Sequence, residues 1–237
     1  MTTICAMQPY LFPYLPYFQL AASVDAFWVL DDVQFIRRGW MNRNQILLDG
    51  QPHRISFPVS HGRQGDLICD KTLPDTFNHD LSRIIDTITR AYRHAPRQDQ
   101  LQALLAPLPG RSWARFLDLA LETLQRSFAS LGLQTPIRLA SSLNLSAKLR
   151  GQDRILAICA ATGATTYVNP AGGRLLYDAD AFTTTGVQLR FLQGKCPAYP
   201  QSGVSQFVPG LSILDPIAHL SPQTLKTHLT AYDLSPG

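Results

Sequence analysis

Short apolar runs separated by polar breaks make up the first thirty or so positions of the chain. "TTICAM" has the apolar content of a short buried strand, and "QPYLFP" ends it. Residues 7–20, "MQPYLFPYLPYFQL", set three prolines among five aromatic residues. That is too interrupted for a long helix, because proline lacks a donor and biases the residue before it away from the helical region. Such a stiff stretch is either a rigid wall beside a ligand or a packed strand-to-helix corner. "YLPYFQLAASVD" then supports a short helix, with proline in its first turn where the missing donor is harmless. "AFWVL" reads as a second strand, ending abruptly in Asp31-Asp32. Strand, helix, strand predicts an α/β unit with a parallel pair and polar residues beyond the strands' carboxyl ends, where open α/β sheets bind ligands.

Further along, the period changes. In "NQILLDGQPHRISFPV" two β-capable runs flank Asp49-Gly50, a strong turn pair, and predict an antiparallel hairpin. The more polar stretch from His61 to Pro74 reads as loop. Apolar residues at 77, 81, 84, 85, 88 and 92 keep helical spacing until Pro96, and a short helix follows over 99–106. "SWARFLDLALETLQRSFASLG" predicts a longer helix with Ser112 as its cap and Arg115 at its third position. Its stripe runs through Trp113, Phe116, Leu117, Ala120, Leu121, Leu124 and Phe128, and Gly132 closes it. The α/β logic then returns: "IRLA" as strand, "GQDRILAICAATG" as helix, "TTYVN" and "VQLRFL" as strands. After "LSILDPIAHL", a last helix begins with Ser221 as cap and Pro222 at its first position. The expected architecture is one α/β domain over 1–237, with a mostly parallel Rossmann-like sheet, an antiparallel hairpin and a helical central lobe over 75–132.

Composition narrows the function classes. The hydrophobic share of 45% can fill a real core. A formal charge of +4 is a mild basic bias that suits an anionic small molecule as well as a nucleic acid. The four cysteines, at 5, 69, 159 and 196, share no close spacing, and Cys5 and Cys159 read as buried thiols of a reduced compartment. Only Cys196 stands beside a cation, Lys195, which could lower its thiol pKa. The six histidines form no HxH or HxxxH pair, so no metal is predicted and no cofactor is identified. No signal peptide or membrane-spanning run is evident, and the expected location is the cytoplasm.

The densest polar constellation is "DDVQFIRRGWMNRN", residues 31–44. Arg37, Arg38 and Arg43 could hold phosphates through fixed donor forks. Trp40 could stack on a base or sugar face. Asn42 and Asn44 offer donor and acceptor together, as a hydroxyl-rich ligand requires. Asp31 or Asp32 could take the proton of an attacking amine or hydroxyl. The competing reading is a solvated loop with internal ion pairs. "NPAGG", residues 169–173, has glycines that permit close approach and could expose N–H groups to an anion, though a plain turn explains it as well. "KLRGQDRI" places Lys148, Arg150, Gln152, Asp153 and Arg154 around a helix start. Lys148 could be a phosphate contact or just a solvated lysine, and Asp153 is favourable for structural reasons, so the sequence alone favours a structural role for this segment.

These segments carry a resemblance. Gln8-Pro9-Tyr10, Phe12-Pro13-Tyr14, Asp31-Asp32-Val33, Arg38, Trp40, Asn42-Arg43-Asn44, and Asn169-Pro170 with Gly172-Gly173 match the pattern of the WbqC-like proteins, and the likeness covers nearly the whole chain. Such proteins are associated with gene clusters for surface polysaccharides and modified sugars. The resemblance therefore implies a nucleotide-linked amino sugar as substrate and transfer of an acyl or aminoacyl group to its amine. Asp31, Asp32, Asn42 and Asn44 would be catalytic; Gln8, Tyr10, Tyr14, Arg37, Arg38, Trp40, Arg43, Lys148, Asn169, Gly172 and Gly173 would bind substrate. The pocket is expected between the first two strand ends and the Asn169–Gly173 turn; the sequence does not reveal the donor, which the basic surplus would help recruit if it is carried on an acyl carrier or tRNA. A non-catalytic sugar-nucleotide-binding subunit and a nucleic-acid-binding protein are the alternatives.

Overall fold

The computed structural model describes residues 1–63 and 65–237. Eight strands occur among them: β1 Thr3–Met7, β2 Ala26–Val29, β3 Arg43–Leu48, β4 Gln51–Ser56, β5 Ile137–Leu139, β6 Thr166–Pro170, β7 Gln188–Gly194 and β8 Tyr232–Pro236. The helices are α1 Leu15–Ala22, α2 Phe77–Ala91, α3 Gln98–Leu105, α4 Phe116–Leu131, α5 Gly151–Thr162, α6 Ala179–Thr184, α7 Leu214–His219 and α8 Pro222–Leu229.

Six strands form one sheet in the order β5-β2-β1-β6-β7-β8. All neighbours are parallel except β7 and β8, which run antiparallel. Counted by their appearance within the sheet, the strands therefore stand 3-2-1-4-5-6, and the winding reverses between β1 and β6. The pleat sorts side chains to two faces. Cys5, Phe27, Val29 and Val168 enter a large apolar cluster with α1, α4, α7 and α8. Ile4, Ala6, Trp28 and Tyr167 enter a second one with α5 and α6. The fold is thus α/β, with helices on both faces of a mostly parallel sheet. The buried residues of α2 and α3, and Ile46, Ile55 and Phe57 of the hairpin region, belong to the large cluster as well.

β3 and β4 form the expected hairpin, with Leu48 opposite Gln51. Asp49 and Gly50 both take left-handed backbone (φ 49° and 77°), as a two-residue turn matching strand twist demands. A Cβ on Gly50 would lie 2.9 Å from the carbonyl oxygen of Gly203, so this glycine also serves a close approach. Between His61 and Pro74 the chain is irregular apart from isolated pairings of Gln34 with Leu67 and Thr72 with Arg115; Gln64 lies outside the described residues.

The long central helix starts later than its sequence implies. Ser112 is not its cap, and Arg115 occupies that position with extended backbone. Residues 113–115 are instead held to the loop: Leu73 N–H donates to Ala114 O at 2.9 Å, Phe116 N–H to Lys71 O at 2.8 Å. Trp113 is buried ahead of the helix, its Nε1 donating to Leu108 O at 2.9 Å. Gly132 closes α4 in the left-handed conformation, and Ser221 caps α8 through Thr224 N–H, both as expected. The short α6 and the edge strand β8 were not among the expected elements.

One polar side chain fastens the N-terminal helix to the end of the fold. Gln19, fully buried on α1, donates from Nε2 to the carbonyls of Lys195 (2.7 Å), His228 (2.7 Å) and Ala231 (3.0 Å).

Candidate functional site

β1, β2 and β5 all end at the same end of the sheet, and the chain beyond them builds a cleft of about 590 Å³, lined by apolar residues such as Val33, Leu67 and Leu149 as well as by charged ones. Gln8 follows β1, Asp32 follows β2, and Arg150, Gly151 and Arg154 enter from the start of α5. The adjacent aspartates Asp31 and Asp32 have different surroundings. Asp31 is 2% exposed; its Oδ1 accepts the Ser141 N–H at 3.0 Å, and its backbone carbonyl accepts the Cys69 N–H at 2.8 Å. It ties the end of β2 to the turn after β5. Asp32 faces the cleft and pairs through Oδ2 with Arg154 Nη2. Its Oδ1 and the Nε of Arg154 are both buried, and neither has a hydrogen-bond partner among the described residues. A buried polar atom left unpaired costs roughly 1–3 kcal/mol. Two of them on one ion pair, in a cleft at the strand ends, make this the candidate site.

A second recess, about 420 Å³, is aromatic. Tyr10, Tyr14, Trp40, Arg43 and Asn44 line it. Trp40 and Tyr14 are 55% and 43% exposed, so two ring faces are open to solvent. Burial, and then each ring's neighbour, pushes the Tyr10 and Tyr14 phenols above their usual range, leaving both as neutral donors. The opening segment is a packed corner that also lines a recess. Leu11 and Phe12 are core residues, while Tyr10 and Tyr14 wall the recess.

Phe12 takes φ 47°, an uncommon conformation for a bulky residue. Its carbonyl is gripped by Asn44 Nδ2 and by Ser212 Oγ (2.8 Å), and Asn44 Nδ2 also donates to Leu11 O at 3.3 Å. Asn44 Oδ1 accepts the Gln45 N–H at 2.8 Å. Asn42, 9% exposed, donates from Nδ2 to Phe57 O at 2.7 Å. Both amides hold backbone, and Asn44 has no donor left for a reacting oxygen.

The remaining expected residues are dispersed. Arg37 and Arg38 are exposed and line neither recess; Arg38 O accepts from Arg43 Nη1 at 3.4 Å. Lys148 is exposed between two cleft-lining residues, Ala147 and Leu149. Asn169 spends its Oδ1 on Tyr167 OH (3.3 Å) and its Nδ2 on Pro170 O (3.1 Å). That amide sits where a side chain on Gly173 would be, whereas Gly172 faces open space. The Asn169–Gly173 turn lines neither recess; the loop after β5 completes the first and the opening corner the second. Arg150 and Arg154 are the residues that sequence reasoning set aside; "KLRGQDRI" was the signal, but its ion-pair partner Asp32 lies far off in the chain.

Cys196 has no activating lysine. Lys195 Nζ pairs with Asp233 at 2.7 Å, and desolvation pushes the Cys196 thiol up rather than down. A buried cluster not expected from the sequence surrounds Asp215, whose carboxylate accepts from Tyr92 OH (3.1 Å), Tyr199 OH (2.6 Å) and Gln201 Nε2 (2.9 Å), with His219 Nδ1 at 3.6 Å. Among the described residues no three His, Cys, Asp or Glu side chains gather as metal ligands, and no helix is long and apolar enough to cross a membrane. Two surface grooves beside α2, about 570 and 890 Å³, contain none of the expected site residues.

A protein of Mycobacterium tuberculosis described as "Uncharacterized protein Rv1507c" is 27% identical over 218 residues, covering 91% of this chain and 92% of that protein. No solved structure matches the chain. The model of the WbqC-like protein family matches residues 8–227, and the chain belongs to that family.

Proposed function

We propose that, within the sugar-nucleotide metabolism that its family membership suggests, the chain is a transferase that adds an acyl or aminoacyl group to the amine of a nucleotide-linked sugar. The observation that carries this reading is the buried, unpartnered Oδ1 of Asp32 in the cleft at the strand ends. The amine attacks a thioester or similarly activated carbonyl, Asp32 Oδ1 accepts the proton the nitrogen sheds, and the leaving group departs with the electron pair of the broken bond. Backbone N–H groups serve as donors for the developing oxyanion, since Asn44 is committed to carbonyls. Trp40 and Tyr14 supply stacking faces for a base or sugar ring. The strand order 3-2-1-4-5-6 supports a Rossmann-like reading of the sheet, and the basic surplus suits a donor on an acidic carrier protein or tRNA. The cytoplasm, where nucleotide-sugars are made, is the proposed location.

The pairing of Asp32 with Arg154 favours a second reading, a non-catalytic sugar-nucleotide-binding subunit in which the pair is structural. Substituting Asp32→Asn separates the two. With a nucleotide-linked amino sugar that raises the melting temperature of the native chain, the transferase reading expects the variant to lose transfer while retaining binding. Equal loss of binding, or no transfer by the native protein with any activated donor, supports the second reading.

A further inference from the structure

Helix α5 begins without a side-chain cap: Arg150, at the capping position, makes no such bond. The first N–H groups of a helix have no acceptor inside it, and together with the aligned peptide dipoles they give the end a partial positive charge. This end opens on the cleft. Gly151 lines it with φ 47°, and nothing lies within 4 Å of where its Cβ would be, so an anion can come up against the backbone.

The second observation is independent of the helix end. Arg154, 4% exposed, lines the same cleft, and its Nε is buried with no partner among the described residues. An arginine is always charged, so this is a donor held in the protein interior with nothing to donate to. Arg150 adds a second guanidinium. Its Nη1 donates to the carbonyls of Ala147 and Leu149 (2.8 Å to the latter), which fixes the group over the loop and leaves its other nitrogens without a partner among the described residues. Against these two cations the cleft sets one carboxylate, Asp32. Asp153 in the first turn is exposed and does not line the cleft.

We propose that the uncapped start of α5, with Arg150 and Arg154, is a phosphate-binding site: the cleft receives a phosphate or diphosphate there, and not at the exposed Arg37 and Arg38. On this proposal a terminal or bridging phosphate oxygen takes the free N–H groups at the start of α5 and the unpartnered Arg154 Nε–H. As the seat of a nucleotide-sugar's diphosphate it rests on the transferase reading; as a site for the phosphoanion itself it does not.

The test is an amide NMR titration of the full chain with inorganic pyrophosphate, followed by the same titration with nucleotide-diphosphate sugars. The expected result is a saturable shift of the Gly151–Arg154 amides, weakened by added salt and weakened about tenfold in Arg150→Gln, the loss of one charge-assisted contact. Arg154→Lys keeps a charge but not the Nε–H, and should weaken binding as well; if that buried variant does not fold, the exposed Arg150→Gln still decides. Shifts confined to Arg37–Arg43, no saturable shift at all, or native affinity in Arg150→Gln overturns the proposal. Pyrophosphate binding at α5 with no response to any nucleotide-sugar leaves the phosphate site standing and removes the transferase reading.

Discussion

Replacing Asn44 with alanine tests whether its amide is scaffold or machinery. The side chain is 7% exposed and makes three bonds to backbone. In the variant the Phe12 carbonyl keeps Ser212 Oγ at 2.8 Å, but Leu11 O and Gln45 N–H each lose their Asn44 bond. At roughly 1–3 kcal/mol for each group left unpaired, the loss should be about 2–6 kcal/mol. Asn42→Ala removes one bond, to Phe57 O, and should cost about half as much, about 1–3 kcal/mol. The assay is equilibrium urea unfolding followed by circular dichroism, with the two variants compared at a common slope. Phe12 supplies a further sign: at φ 47°, with one clamp removed, it should relax and carry Tyr14 with it, so ligand affinity in the aromatic recess should fall together with stability. An Asn44→Ala protein of native stability that binds normally but has lost turnover would refute the reasoning and return the amide to the reacting centre.

Trp28 and Trp113 are buried and Trp40 is exposed, so acrylamide should quench chiefly Trp40. A nucleotide-sugar that stacks there should change the emission of the native protein and leave Trp40→Phe unaffected. His219 is expected to make stability depend on pH. Burial by itself would lower its pKa, but the Asp215 carboxylate and carbonyl outweigh burial and raise it above the ordinary 6.5. A raised folded-state value stabilises fully below the unfolded value and is lost as pH rises through the folded one, so the margin of native protein over His219→Gln should shrink as pH rises above the ordinary histidine value of 6.5; a margin that grows would contradict the assignment. Cys196, with its thiol pushed up, should react with iodoacetamide no faster at neutral pH than free cysteine, and faster reaction would show an activation that the structure does not contain.

What could be read from the chain was whatever local pattern decides. The Asp49-Gly50 turn, the closing glycines at 132 and 163 and the Ser221-Pro222 start each depend on a few adjacent residues, and each lies where the pattern put it. Ser112 failed because the competing partner was remote: Lys71 and Leu73 capture residues 114–116 in extended pairing and delay the helix. β8 is polar and ends in proline, so only its pairing with β7 makes it a strand. The site shows the same division. The stretch 31–44 stood out by composition, yet composition does not say that Asp31 turns toward Ser141 while Asp32 turns toward Arg154. Nor does it say that the asparagines serve neighbouring carbonyls. The α5 arginines looked ordinary because their meaning lies in an ion pair spanning more than a hundred residues.

The Gln19 amide ties the timetable of folding to its anatomy. The first helix leaves the ribosome early, but two of its three carbonyl partners belong to His228 and Ala231. Until those residues emerge, α1 must either keep its amide in water, away from the sheet, or bury it with the Lys195 carbonyl as its one remaining acceptor. The β1–α1–β2 unit can thus assemble only provisionally during synthesis, and the N-terminal layer should lock in the same late step that delivers α8. A nascent chain arrested short of residue 228 should accordingly leave α1 open to protease, although every residue of that helix, and of the strand it packs on, is already present.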